Sequence, residues 1–164
     1  MSTQTTPHAV VRADMDGERR WFAGGGMHTW KVHSEETGGA FMLFEHRMEQ
    51  GKQTPLHTHP DSDETMIVLE GEIVMHMDGV DHRVGRDGVA VATRGLPHAF
   101  MVTSPFARLL CLHTPGCCEA FYRDASDLAV DGEPGGAVDF DRVRSSAARN
   151  GGIELLGPPP FTQS

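Results

Sequence analysis

The chain has 164 residues, enough for one domain whose core needs no disulfide or metal staple to fold. Its 23 acidic residues against 14 basic ones give a net charge of −9, which argues against nucleic acid or an anionic membrane as partner. No apolar stretch reaches transmembrane length and the polar opening MSTQTTPHAV has no signal-peptide core, so the expected location is cytoplasmic. Cys111, Cys117 and Cys118 fit a reduced protein: they are odd in number, lack metal-finger spacing, and the adjacent pair would bridge only under strain.

In chain order, residues 1–9 read as a loose tail. Val10–Ala13 and Arg20–Phe22 are expected as short strands, the second ended by Gly24-Gly25-Gly26. From Met27 to His33 the residues alternate, with His28, Trp30 and Val32 on one face. Phe41–Met48 is a longer strand whose residues Met42, Phe44, His46 and Met48 point inward. Thr65–Met77 is broken at Glu70-Gly71-Glu72, a bend that lets a strand turn the corner of a barrel. Asp78-Gly79 is a hairpin signal, and Val89–Thr93, His98–Thr103 and Ala107–His113 complete the strands. With 19 glycines and ten prolines at the turns and no internal repeat, residues 10–115 read as one all-β sandwich or barrel.

Past Pro115 the period changes. Phe121, Ala125 and Leu128 stand at helical spacing, and residues 131–136 read as a linker. Phe140, Val143 and Ala147 predict a second helix, with Asp139 as N-cap and Gly151 as its stop. Gly157-Pro158-Pro159-Pro160 then forces an extended tail. Residues 116–164 are thus expected as a helical extension outside the barrel.

The chemistry is concentrated between Gly51 and Gly71, GKQTPLHTHPDSDETMIVLEG. His57 and His59, two apart on a strand, face one side, and the turn at Pro60–Asp63 returns Glu64 beside them. A second strand–turn–strand, GVAVATRGLPHAFMV, adds His98 after the turn Thr93–Pro97. Three imidazoles and a carboxylate on one face are costly to bury without a cation, which favours a metal site over a metal-free polar cluster. Asp61 and Asp63 are rivals for the carboxylate position, but Asp63 points the other way if Glu64 opens a strand.

Other reactive residues read more plainly. His8 lies in the tail, and His33, His76 and His82 face solvent or a neighbouring strand. His28, His46 and His113 read as ordinary strand residues, with His46 notable for its apolar face. Arg94 is a loop arginine. Cys117-Cys118 falls at a helix start, which acidifies a thiol, but no histidine is paired with it in sequence. Met42, Phe44, His46, Met66, Val68 and Phe100 share the ligand face and would line a substrate pocket.

The two histidine segments resemble the two conserved motifs of the cupin superfamily. The first matches at every signature position: Gly51, His57-x-His59, Glu64 and Gly71. In the second, Gly95 and His98 stand in place, while Thr93 replaces the usual proline and Val102 the usual asparagine. The resemblance implies a double-stranded β-helix, the jelly-roll barrel, with His57, His59, Glu64 and His98 as ligands of one divalent metal ion. Iron, manganese, nickel, cobalt, copper and zinc all accept such ligands. GGAFMLFEHRMEQGKQTPLHTHPDSDE, RGLPHAFMVTSPFARLL and the C-terminal GPPP are similar to small single cupins of the quercetin 2,3-dioxygenase-like type. That likeness implies an oxidoreductase cleaving a flavonol-like or other aromatic or enolic small molecule with dioxygen, Glu64 doubling as catalytic base. A non-redox isomerase or polyketide-type cyclase and a non-catalytic small-molecule-binding cupin are the alternatives. A homodimer is expected, because an open cupin sandwich leaves edge strands and apolar outer positions to cover, Phe41 and Leu43 among them.

Overall fold

Gly71 marks the point where the chain passes from one sheet to another. Its φ is 79°, and a Cβ there would lie 2.1 Å from the carbonyl oxygen of Phe106, so both backbone and space demand glycine. The computed structural model describes residues 6–14, 16–129 and 137–162. Before the corner the strands are β1 (Arg19–Phe22), β2 (Met27–Val32), β3 (Met42–Glu49), β4 (Leu56–Thr58) and β5 (Asp63–Glu70). After it come β6 (Glu72–Met77), β7 (Val80–Gly85), β8 (Val89–Ala92), β9 (His98–Val102) and β10 (Phe106–Thr114). The C-terminal segment adds α1 (Glu119–Asp124), β11 (Ser126–Leu128), α2 (Phe140–Asn150) and β12 (Glu154–Gly157).

Two antiparallel sheets result: seven strands in the order β11-β1-β2-β3-β10-β5-β8, and five in the order β12-β4-β9-β6-β7. This is the all-β double-stranded β-helix, with only two short helices. The hairpin joining β6 to β7 turns at Asp78 and Gly79, whose φ values of 50° and 79° suit the right-handed strand twist. The core fills the space between the sheets. Met42, Phe44, His46 and Met48 all point into it, as their alternation predicts, and so do Ala107, Leu109, Cys111 and His113 of β10.

Three segments depart from the sequence reading. Val10–Ala13 forms no strand; Arg12 ties that segment down through its side chain, donating to the Lys31 carbonyl and to Glu36. The helix through Phe121 ends at Asp124, and Ser126–Leu128 is a strand paired with β1, leaving Leu128 exposed. Arg20 explains the switch, since its guanidinium donates to Ser126 Oγ and to the Arg123 and Ser126 carbonyls, drawing the chain onto the sheet edge. Residues 154–157, expected only as part of the extension outside the barrel, pair with β4. Helix α2 begins where predicted, with Asp139 accepting from the Arg142 amide and Gly151 closing it at φ 66°. The linker 131–136 lies outside the described residues.

Candidate metal centre

Two cross-strand pairs face each other across the barrel. His57 of β4 stands opposite His98 of β9 in the five-stranded sheet, and Glu64 of β5 stands opposite His113 of β10 in the seven-stranded one. His59 follows β4 and closes the gap between them. One ligand atom from each of His57, His59, Glu64 and His98 can be chosen so that all four lie within 4.8 Å of one another, and all four residues are buried. The sequence-predicted ligands therefore converge on one point.

Each of those histidines is held by its other nitrogen. The Nδ1 of His57 bonds the Pro55 carbonyl at 2.8 Å, that of His98 the Leu96 carbonyl at 2.8 Å, and that of His59 the Gly152 carbonyl at 2.9 Å. A carbonyl only accepts, so Nδ1 carries the proton and, in a neutral ring, Nε2 offers a lone pair to the site. Such a backbone tether is the usual device for fixing the ring of a metal-bound histidine.

The Nε2 atoms gather on the carboxylate. That of His98 is 2.9 Å from Glu64 Oε2, and that of His59 is 3.0 Å from the same oxygen. The His59 contact lacks hydrogen-bond alignment, so a buried lone pair is left without a partner among the described residues. Burial with the neighbouring His98 and His59 pushes His57 down to about 3, and burial pushes His113 down to about 3. Burial opposes charge on His98 too, but its hydrogen bond to Glu64 and that carboxylate's charge outweigh it and raise the pKa. Burial likewise opposes charge on Glu64, and the surrounding imidazoles reverse this and hold it well below the carboxylate range. A proton on His98 thus bridges groups that would otherwise be acceptors only. A divalent cation fits the same place with more ligands satisfied.

Neighbouring residues fix this geometry. Asp63, the rival carboxylate, turns outward and takes the Arg94 amide at 2.8 Å and its guanidinium at 3.2 Å. That contact latches the turn before His98 to the start of β5, which carries Glu64. Asp61 is exposed. Cys118 caps α1 but is buried, so burial pushes its thiol up rather than the helix start pulling it down.

His113, read from sequence as an ordinary strand residue, belongs to the site. Its Nε2 lies 3.7 Å from Glu64 Oε1 and 3.1 Å from the Tyr122 hydroxyl, while its Nδ1 faces Cys118 Sγ at 3.2 Å. The signal was present in the inward alternation of β10. Tyr122 and Gly152 carried none, since both arrive from the C-terminal segment.

An apolar cavity of about 60 Å³ opens beside His57 and Glu64. Of the six residues expected to line a substrate pocket, Phe44, His46 and Phe100 border this cavity, whereas Met42, Met66 and Val68 are fully buried in the core beyond it. The inward face of a strand is longer than the cavity it borders. Phe22 and His28 add aromatic rings from the N-terminal strands, Phe121, Tyr122, Val143 and Ile153 close it from the C-terminal segment, and Gln53 and Thr54 give it a polar margin. Among the described residues no lysine or arginine borders it.

Comparison with known proteins agrees with this geometry. A family model described as a cupin domain matches residues 44–113. Quercetin 2,3-dioxygenase of Bacillus subtilis (strain 168) is 30% identical over 95 residues, 58% of this chain but only 28% of that enzyme. A solved RmlC-like cupin from Shewanella frigidimarina NCIMB 400 superposes with a TM-score of 0.59 at 16% identity, covering 66% of this chain and 93% of its own. A predicted oxalate decarboxylase from Thermotoga maritima gives 0.58 at 20% identity, covering 65% and 99%. At such identities the two structures speak for the fold alone. With its two sheets and its converging histidines, the chain carries a cupin domain over residues 44–113.

Proposed function

We propose that the chain is a metal-dependent oxygenase for a small aromatic or enolic substrate, with His57, His59, Glu64 and His98 holding one divalent ion. The observation that carries this reading is the set of Nε2 atoms, each tethered through Nδ1, that converges with a buried carboxylate. The likeness to a quercetin 2,3-dioxygenase over 95 residues supports the oxygenase class. An ion bound there supplies Lewis acidity and, for a redox metal, electrons for dioxygen chemistry.

The chain's own residues do the rest. Glu64 borders the cavity and is the base that receives a substrate hydroxyl proton at its carboxylate. Because its pKa is held low, it removes only a proton already acidified. Phe44, Phe100 and Tyr122 exclude water and stack on a flat ring. The cavity of about 60 Å³ is small beside the roughly 300–1,000 Å³ of a drug-sized site. It suits a single ring or a small enol better than the three rings of a flavonol.

A second reading, a non-redox isomerase or cyclase, draws on the chain Glu64–His113–Tyr122, which suits proton transfer within one substrate. The test loads purified protein with iron, manganese, nickel or cobalt and follows oxygen uptake with catechol, acetylacetone and quercetin. Uptake with a single-ring or enolic compound is expected. Conversion that proceeds equally under argon would replace the oxygenase with the second reading, and inertness with every metal would remove both.

A further inference from the structure

His28 has no part in the ligand cluster, yet it is buried and both of its ring nitrogens lack a hydrogen-bond partner among the described residues. It lies on β2 and borders the cavity. Its ring stacks on Phe22 at 4.7 Å, packs on Phe44 at 4.3 Å, and meets His46 edge-on at 4.3 Å. Leaving buried polar atoms unpaired costs stability, and a phenylalanine would fill the same stack without that cost. A polar residue retained in an aromatic wall at such cost is a residue waiting for a ligand.

We propose that His28 binds a hydroxyl of the small aromatic or enolic ligand that occupies this cavity, and so sets its orientation toward His57 and Glu64. A neutral imidazole presents one N–H and one lone pair, and a hydroxyl both donates and accepts. Burial, with His46 and Arg20 nearby, keeps His28 well below its ordinary pKa and hence neutral. A carboxylate could pair only with the N–H and an ammonium only with the lone pair, whereas a hydroxyl serves whichever nitrogen faces the cavity. His46 is already engaged, its Nε2 bonding the Gly25 carbonyl at 3.1 Å. His28 is therefore the ring on this wall with both nitrogens buried and unpartnered among the described residues. The ligand reads as neutral and hydroxylated, with a hydroxyl toward His28 and its reacting end toward the metal-site residues.

This inference rests on the cavity being the substrate chamber of the proposed metal site. It is tested by binding and not by turnover, with the full chain under argon and its metal content measured on the same sample. Phenol and toluene are the probes, equal in ring and differing in the hydroxyl. The ratio of their affinities should fall at least about tenfold in His28→Phe and largely survive in His28→Gln, which keeps a donor and an acceptor. Nitrogen NMR of wild-type protein should show the His28 ring shifting with phenol and not with toluene, a result that needs no variant to fold. An unchanged ratio in His28→Phe, a His28 ring indifferent to bound phenol, or failure of wild type to bind phenol would overturn the proposal. Protein that binds phenol through His28 but retains no ion after dialysis against a divalent metal would sink the metal reading alone.

Discussion

At Glu64 two demands meet in one side chain. It must stay ionised among four imidazoles, and in the proposed chemistry it must also take a proton. Glu64→Gln separates the two: the amide oxygen still coordinates, but it cannot act as base. Metal content near wild type with turnover down by about 10²–10⁴ is expected, measured on one sample. Wild-type turnover in that variant would discard the base while leaving the site. At this scale His57, His59, Glu64 and His98 were legible because their spacing is local, two residues on a strand and one turn. His113 and His28 were legible only in part. Each was placed on a strand, His28 on one face with Trp30 and Val32, but which residues meet depends on the pairing of β10 with β5 and of β2 with β3, which no local pattern records.

The element that changes most between sequence and structure is the C-terminal segment. β11 and β12 are three and four residues long, too short for alternation to declare itself, and each is defined by a partner more than 90 residues away in sequence. Yet this segment closes the cavity with Phe121, Val143 and Ile153 and delivers the Gly152 carbonyl to His59. Gly152 has φ 77°, and a Cβ would lie 2.7 Å from the Cβ of Cys118. Gly152→Ala must move that loop and loosen the His59 tether. Metal affinity about 10–100-fold weaker is expected from a lost backbone partner of this kind. Equal affinity in a folded variant would show that the tether does not orient the ring. The longer strands and α2 were read correctly for the opposite reason: alternation over eight or nine residues, or a cap and a stop, is written within the element itself.

At the scale of the molecule, the buried histidines make metal-free protein acid-labile. His57 and His113 are pushed down to about 3 and His46 to about 4, while the unfolded chain protonates them near 6.5. The unfolded state therefore binds more protons below pH 6.5, and stability falls as pH drops toward those values. The loss is about 2 kcal/mol per histidine between pH 6.5 and 5. His98 acts in the other direction: its raised pKa adds stability that fades as pH rises through its folded value. Melting temperatures of chelated protein across pH 4–7 check the sum, and a flat profile would mean that these rings are hydrated.

The outer surface carries a separate expectation. Ile67 of β5 lies opposite Val89 of the terminal strand β8, and Val91 follows on the same face, all three exposed. We propose that a second copy covers them, since an apolar patch on a free sheet edge invites pairing. Light scattering should give twice the 17.9 kDa chain mass, and Val89→Lys with Val91→Lys should halve it. A wild-type monomer at micromolar concentration would contradict this.

The four-ligand metal centre is the claim on which the function depends, and elemental analysis after dialysis against a divalent metal tests it most directly. Wild type is expected to retain one ion per chain, with His57→Ala and His98→Ala retaining little, since each deletes one of the four converging ligands and its tethered Nε2. Wild-type protein that returns from dialysis without stoichiometric metal, or variants that keep a full equivalent, would contradict the account.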